Sequence, residues 1–358
     1  NVIYRGGKST ADTMMPYSSW QSEDPEDLWK WMATYEENTG DRVLAIPHNA
    51  NLSNGRMFES TRFDGSLIDA DYAKRRSRFE RLQEVMQTKG NSETHPSLSP
   101  NDEFADFGIG GWEYGNLTMR GKPESSEMRP FMYLRSGLLQ GLSWNENIGV
   151  NPFKFGLIGG TDVHNTLTAI EENNFFGKTI VQEPYPKRWE HVAKEGFDKT
   201  RYSWNYTAAS YAAVWAKENT REALWDAMYR KEVYATSGSR ITVRFFGGWN
   251  FEKGDITKSR DIAEQGYAKG VPMGGDLYGK ESSNKAPSFL VSAMKDPLGG
   301  NLDRIQMVKG WIDKKGQPQE KIYNITRYFG LYNVKGYYSA IYRNKIGIDY
   351  FLSKARFM

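Results

Sequence analysis

Short apolar runs separated by amphipathic stretches organise the first two-thirds of the chain. The run Val43-Leu44-Ala45-Ile46-Pro47, too short for a helix and ending at His48, predicts a buried strand. Leu82-Gln83-Glu84-Val85-Met86-Gln87 predicts a second, and Phe153-Lys154-Phe155-Gly156-Leu157-Ile158-Gly159-Gly160 a third that runs into Asp162 and His164. Helical patterns lie around them. Pro25 with Glu26 and Asp27 opens one, placing Leu28, Trp31 and Met32 on a shared face. A basic helix follows over 73–81. Within 131–142, Met132, Leu134, Leu138 and Leu139 recur at helical spacing until Gly141 loosens the pattern. His191 falls in an amphipathic helical stretch, and Asn219 with Glu222 three residues on reads as a capping box for a helix carrying Leu224 and Met228. Helices alternating with buried strands predict an α/β fold built on a parallel sheet or barrel.

Beyond Tyr234 the pattern turns to strands, at Ile241-Thr242-Val243-Arg244-Phe245-Phe246, Ser288-Phe289-Leu290-Val291-Ser292-Ala293 and Ile305-Gln306-Met307-Val308. Pro297-Leu298-Gly299-Gly300-Asn301 reads as a hairpin-type connection between the last two. The chain therefore divides into an α/β part, 1–234, and a β-rich module, 235–358. The aperiodic stretch 95–128, rich in Pro, Ser, Asn, Gly and Glu, reads as a surface excursion.

Composition narrows the chemistry. With no cysteine, disulfides and thiolate metal sites are excluded, so any metal must be held by His and carboxylates. The 47 basic and 44 acidic residues are interspersed, which argues against nucleic acid as a partner. No apolar stretch has the roughly 20 residues of a membrane span. The aromatic content, 14%, is high enough to make a carbohydrate- or protein-binding scaffold a second reading. The absent cysteines, the start at Asn1 and the aromatics are compatible with a processed periplasmic or secreted protein and leave the cytoplasm open; homo-oligomers are also compatible.

In parallel β/α folds functional side chains sit at the carboxyl ends of strands. Three predicted strands end in such residues: His48, Glu84, and Asp162 with His164. Asp162 and His164 are one residue apart, so an extended segment would point both to one side, suited to a shared metal. His48 reads equally as a ligand or as a satisfied strand-end histidine, and Glu84 equally as a ligand or a solvent-facing residue. His95 and Glu93 follow Glu84 closely and read as lining or supporting groups. Glu113 and the pair Arg240 and Arg244 read as surface charge, or as contacts to an anionic substrate. No P-loop, dinucleotide fingerprint or serine-hydrolase elbow is present.

Taken together, Asn1-Val2-Ile3-Tyr4, Ile46-Pro47-His48-Asn49, the stretch from Glu84 to Glu93, the stretch from Asn151 to His164, Tyr234-Ala235-Thr236-Ser237-Gly238-Ser239-Arg240-Ile241 and Phe245-Phe246-Gly247-Gly248-Trp249 resemble the family known as domain of unknown function 3604. That family is similar to the polymerase and histidinol phosphatase (PHP) metallohydrolases. The resemblance spans about residues 1–312 and implies a distorted PHP-type β/α barrel. It further implies two or three divalent transition metal ions, zinc, manganese or iron, and hydrolysis of a small or oligomeric anionic ester, phosphate or sulfate, by metal-activated hydroxide. His48, Glu84, Asp162 and His164 would be its later metal ligands, with His48, Asp162 and His164 catalytic. The opening His-x-His pair of the superfamily has no counterpart, which implies that this chain begins downstream of it. Residues 323–358 depart from the family pattern.

Overall fold

A computed structural model of the chain describes residues 1–112, 125–169, 174, 176–179, 186–194, 200–206, 210–257, 262–279, 286–327, 337–343 and 350–357. Two compact units are present, Asn1–Ala235 and Thr236–Met358.

The first unit mixes short strands and helices: β1 (Val2–Tyr4), α1 (Lys8–Ala11), α2 (Pro25–Thr39), β2 (Val43–Ala45), α3 (Ala70–Phe79), β3 (Leu82–Glu84), β4 (Met86–Gln87), β5 (Gly90–Asn91), α4 (Leu134–Ile148), β6 (Gly156–Ile158), β7 (Val192–Lys194), β8 (Arg201–Tyr202), β9 (Ala212–Val214), α5 (Arg221–Tyr229) and β10 (Val233–Ala235). All three apolar runs form strands. β3 and β6 pair in parallel, Leu82 against Gly156 and Glu84 against Ile158, whereas β1 and β2 pair antiparallel. Beneath them Leu44, Leu82, Ile158, Trp225 and Val233 form one apolar cluster, so β2, β3, β6, β10 and α5 share a core. The fold class is α/β; no closed barrel is formed among the described residues.

Helix α2 starts where expected, with Asp24 accepting from the Glu26 backbone N–H at 2.9 Å ahead of Pro25. Its buried face is Trp29, Met32 and Tyr35 rather than Leu28 and Trp31. The Trp29 ring meets Tyr72 of α3 edge-on at 5.0 Å, and its indole N–H donates to Glu80, so packing against α3 selects the face. Helix α4 continues through Gly141 to Ile148. Thr220, not Asn219, caps α5, its hydroxyl accepting from the Ala223 N–H. His191 is not helical: it follows a turn, precedes β7 and places Nδ1 2.7 Å from the Ser203 hydroxyl. The excursion after His95 is packed down over its described part: Asp102, Ala105 and Trp112 are buried, and the Trp112 indole donates to the Asn205 carbonyl.

The second unit holds β11 (Thr242–Gly248), α6 (Lys253–Thr257), α7 (Ala263–Lys269), β12 (Gly270–Pro272), β13 (Ser288–Met294), β14 (Leu302–Ile312), β15 (Pro318–Arg327), β16 (Tyr337–Arg343) and β17 (Tyr350–Phe357). Two antiparallel sheets result, β12-β11-β13-β16 and β15-β14-β17. Phe289, Val291 and Ala293 of β13 join Leu302, Ile305 and Met307 of β14 in one core, while Leu290, on the other face of β13, packs with Phe246, Phe251, Ile262 and Ala263. β13 is thus covered on both faces, which accounts for its unbroken apolar run. The 297–301 connection closes no hairpin, because β13 and β14 belong to different sheets. Among the described residues no helix is long and apolar enough to cross a membrane.

Candidate functional site

Parallel pairing sends the ends of β3 and β6 out along the same edge, and β2 joins them. The Glu84 N–H donates to the Pro47 carbonyl at 3.2 Å, next to His48. Past the strand ends, Val85 donates to Ile158 at 2.8 Å, Gly160 to Met86 at 3.3 Å and Thr88 to Thr161 at 3.2 Å, so the two exit loops run side by side. The Gly159-Gly160 pair is closely packed at this exit. A Cβ on Gly159 would lie 2.6 Å from the Tyr211 carbonyl oxygen, and one on Gly160 would lie 3.1 Å from Glu84 Oε1.

Glu84 is buried, and burial pushes its carboxyl above the ordinary carboxylate range. Hydrogen bonds hold the ionised form in opposition. Oε2 accepts from Gln87 Nε2 at 2.9 Å and from the Asn49 N–H at 3.3 Å, and Gln87 Nε2 also reaches Asn49 Oδ1 at 2.7 Å. Burial pushes the His48 imidazole down to about 4, and the nearby Lys89 and Lys178 ammoniums act in the same direction. His48 is therefore neutral near pH 7, the form in which imidazole can ligate a metal or accept a proton.

Asp162 and His164 do meet, but not through an extended segment. Asp162 adopts φ +52°, a left-handed conformation that Asp tolerates better than most residues, and this kink brings His164 Nε2 to 3.0 Å from Asp162 Oδ1. His164 is largely exposed; desolvation of its ring, with the Lys178 and Lys89 charges, holds it below the usual histidine range.

Two lysines complete the cluster. Lys89 ion-pairs with Asp162 Oδ2, and Lys178 Nζ lies 2.7 Å from the same oxygen, bonds the Asp162 carbonyl and sits 3.0 Å from His164 Nε2. Both side chains are nearly buried, and burial brings Lys178 down to about 8. Three donor atoms of metal-ligating type, Asp162 Oδ2, the Asp162 carbonyl and His164 Nε2, thus converge on one point held by an ammonium group. Among the described residues no group of three or more His, Asp and Glu side chains is placed to hold one ion.

Local pattern gave no sign of Lys89, Lys178, Asn49 or Gln87. Asn49, Gln87 and Lys89 do lie within the stretches that carry the family resemblance, whereas Lys178 lies in none of them. Other candidates bond elsewhere. Glu93 lies 3.5 Å from Arg135, which also pairs with Asp102 at 2.6 Å, and His95 accepts at Nδ1 from the Ser97 N–H at 3.1 Å while its ring packs on Tyr133. Arg240 belongs to the second unit, where its N–H donates to Asp296 at 2.8 Å; Arg244 donates to the Tyr267 hydroxyl at 3.3 Å. Glu113 lies outside the described residues.

A family model described as protein of unknown function (DUF3604) matches residues 1–330. The chain belongs to this family. No curated protein and no solved structure matched it. Within DUF3604, then, this member carries His48, Glu84, Asp162 and His164 inside the matched span, which takes in all of the first unit and reaches past the end of β15 in the second.

Proposed function

We propose that this DUF3604 protein is a metal-dependent hydrolase of phosphate or sulfate esters, similar in kind to the PHP metallohydrolases, with His48, Glu84, Asp162 and His164 as ligands for zinc, manganese or iron. The observation that carries the reading is the gathering of a neutral His48, a buried Glu84 and the Asp162–His164 pair along the strand ends β2, β3 and β6. A PHP-type barrel is part of the same proposal, and the parallel β3–β6 pair supports it. Bound ions would supply Lewis acidity toward the ester oxygen and toward water. Gln87 and the Asn49 N–H orient Glu84. His48, neutral at working pH, has the bare ring nitrogen that ligation requires, and His164, on the exposed rim, is the group a substrate would meet first.

A second reading is a binding protein, for carbohydrate or a protein partner, whose metal site is vestigial. The pairing of Asp162 with two buried ammonium groups favours it, since that carboxylate is compensated without any ion.

Metal analysis of pure full-length protein, together with assays on chromogenic phosphate and sulfate esters, separates the two. The hydrolase reading expects about one or more tightly held transition metal ions per chain, and joint loss of metal and hydrolysis in the Asp162→Ala, His164→Ala double variant. Less than one ion per chain sinks it. Retention on a glycan array by that double variant would support the binding reading.

A further inference from the structure

Helix α2 carries Trp31 and Tyr35 four residues apart, which makes them neighbours on its surface. Their rings stack, with centroids 5.8 Å apart and planes 26° from parallel. The ladder extends both ways: Tyr4 of β1 meets Tyr35 edge-on at 5.2 Å, and Tyr17 lies 6.4 Å from Trp31. The two central rings differ in their access to solvent. Tyr35 is buried, whereas Trp31 is partly exposed and its indole N–H donates to the Met15 carbonyl at 3.2 Å. They differ also in what can take a proton from them. The Tyr35 hydroxyl donates to Asp41 Oδ2 at 2.9 Å, an oxygen that also accepts from the Gly6 N–H at 2.9 Å. Burial, with this carboxylate, pushes the Tyr35 phenol up to about 12, so the ring is protonated at neutral pH.

Loss of an electron makes a phenol strongly acidic, because the positive charge is shared with its O–H. A tyrosine with a carboxylate inside hydrogen-bond reach can release that proton as the electron leaves, so no charge is stranded on a buried ring. Tyr72 is placed the opposite way, its hydroxyl facing the Arg76 guanidinium at 3.4 Å. We infer that Tyr35 is a redox-active residue, the place where one-electron oxidation of this unit settles, and that it is reached from solvent through Trp31. A one-electron oxidant at the surface, such as a peroxide-derived radical or a metal(III) complex, takes an electron from the Trp31 indole. Tyr35 then passes an electron to the indole cation, and its phenolic proton moves to Asp41 Oδ2. The indole is restored, the oxidant is reduced by one electron, and the chain holds a neutral tyrosyl radical beside a protonated Asp41. Nothing in this step depends on a ligand at the strand ends.

The test is oxidation of the full-length chain by photogenerated tris(bipyridine)ruthenium(III), with radicals read by electron paramagnetic resonance after freeze-quenching. Wild type, Tyr35→Phe, Asp41→Asn and Trp31→Phe are compared. Wild type should give a tyrosyl signal, Tyr35→Phe should lose most of it, Asp41→Asn should lose a large part, and Trp31→Phe should form it more slowly. An undiminished tyrosyl signal in Tyr35→Phe would place the radical elsewhere and overturn the inference. A wild-type yield in Asp41→Asn would overturn the proton transfer, and a wild-type rate in Trp31→Phe would overturn the route. Transient absorption on wild type alone covers a variant that fails to fold: the tryptophanyl band should decay as the tyrosyl band rises, and the rise should slow in heavy water. A tyrosyl band without a tryptophanyl precursor, or one that rises equally fast in heavy water, would overturn the inference.

Discussion

The backbone N–H of Asn49 donates to the buried carboxylate of Glu84 at 3.3 Å, tying the exit of β2 to the end of β3. Asn49 is itself left-handed, at φ +60°, and Gln87 bonds both partners. The three side chains form a closed polar unit in the interior, where each donor removed leaves an acceptor stranded.

Gln87→Leu should therefore lower stability by about 1–3 kcal/mol, the cost of leaving buried acceptors unsatisfied, since both Glu84 Oε2 and Asn49 Oδ1 lose a donor. Chemical denaturation of wild type and variant measures this. A change within about 0.5 kcal/mol, the range of ordinary surface substitutions, would mean that water replaces the amide.

The two motif glycines should differ in their tolerance. Gly159→Ala drives a methyl against the Tyr211 carbonyl, which is backbone and cannot step aside, so a loss of about 1–3 kcal/mol or more is expected. Gly160→Ala meets only Glu84 Oε1, at 3.1 Å, and should cost less in stability. Thermal unfolding of the pair gives the ranking, and the reverse order would contradict the packing of the β6 exit.

Arg135 and Asp102 form an ion pair with both side chains about 1% exposed. Arg135→Met should destabilise by about 3–5 kcal/mol, because it removes one partner of a buried ion pair. Adding Asp102→Leu should recover part of the loss. A double-mutant cycle reports the coupling, and additive losses would show that the two do not depend on one another.

His95 makes stability depend on pH in a direction that can be worked out. The Ser97 N–H donates to Nδ1, a bond that requires a bare nitrogen, and burial beside Arg129 pushes the imidazole down to about 4. An unfolded histidine titrates near 6.5, so from about pH 6.5 down to 4 the unfolded chain takes up a proton that the folded chain refuses. The stabilisation is complete above about 6.5 and is lost as pH falls toward 4. The midpoint of thermal unfolding should drop between pH 7 and pH 5, and His95→Gln should show a smaller drop. An unaltered drop would assign the effect to other groups, His48 among them.

Much of the first unit was readable along the chain because β2, β3 and β6 lie in the interior, and a strand buried in this way must be apolar wherever it runs. The same continuity made β11, β13 and β14 visible. Pairing was not. The 297–301 turn has hairpin residues yet carries the chain between sheets, because strand partners are chosen by the faces of β13 and β14 that have to be covered. The face of α2 was likewise decided by α3, through Trp29 against Tyr72 and Glu80.

By itself, the sequence determined the family, the mixed α/β character, the β-rich second unit and the restriction of metal chemistry to His, Asp and Glu. It also put Glu84 at a strand end and Asp162 and His164 just beyond one, since side-chain period and strand length are local properties. Tertiary structure alone decided that Lys89 and Lys178, far apart in the chain, close on one carboxylate, and that a left-handed Asp162 turns its carbonyl and its side chain onto the same ammonium. Electrostatic partners are chosen by distance through space in a poorly solvated interior. No periodicity along the chain records that distance.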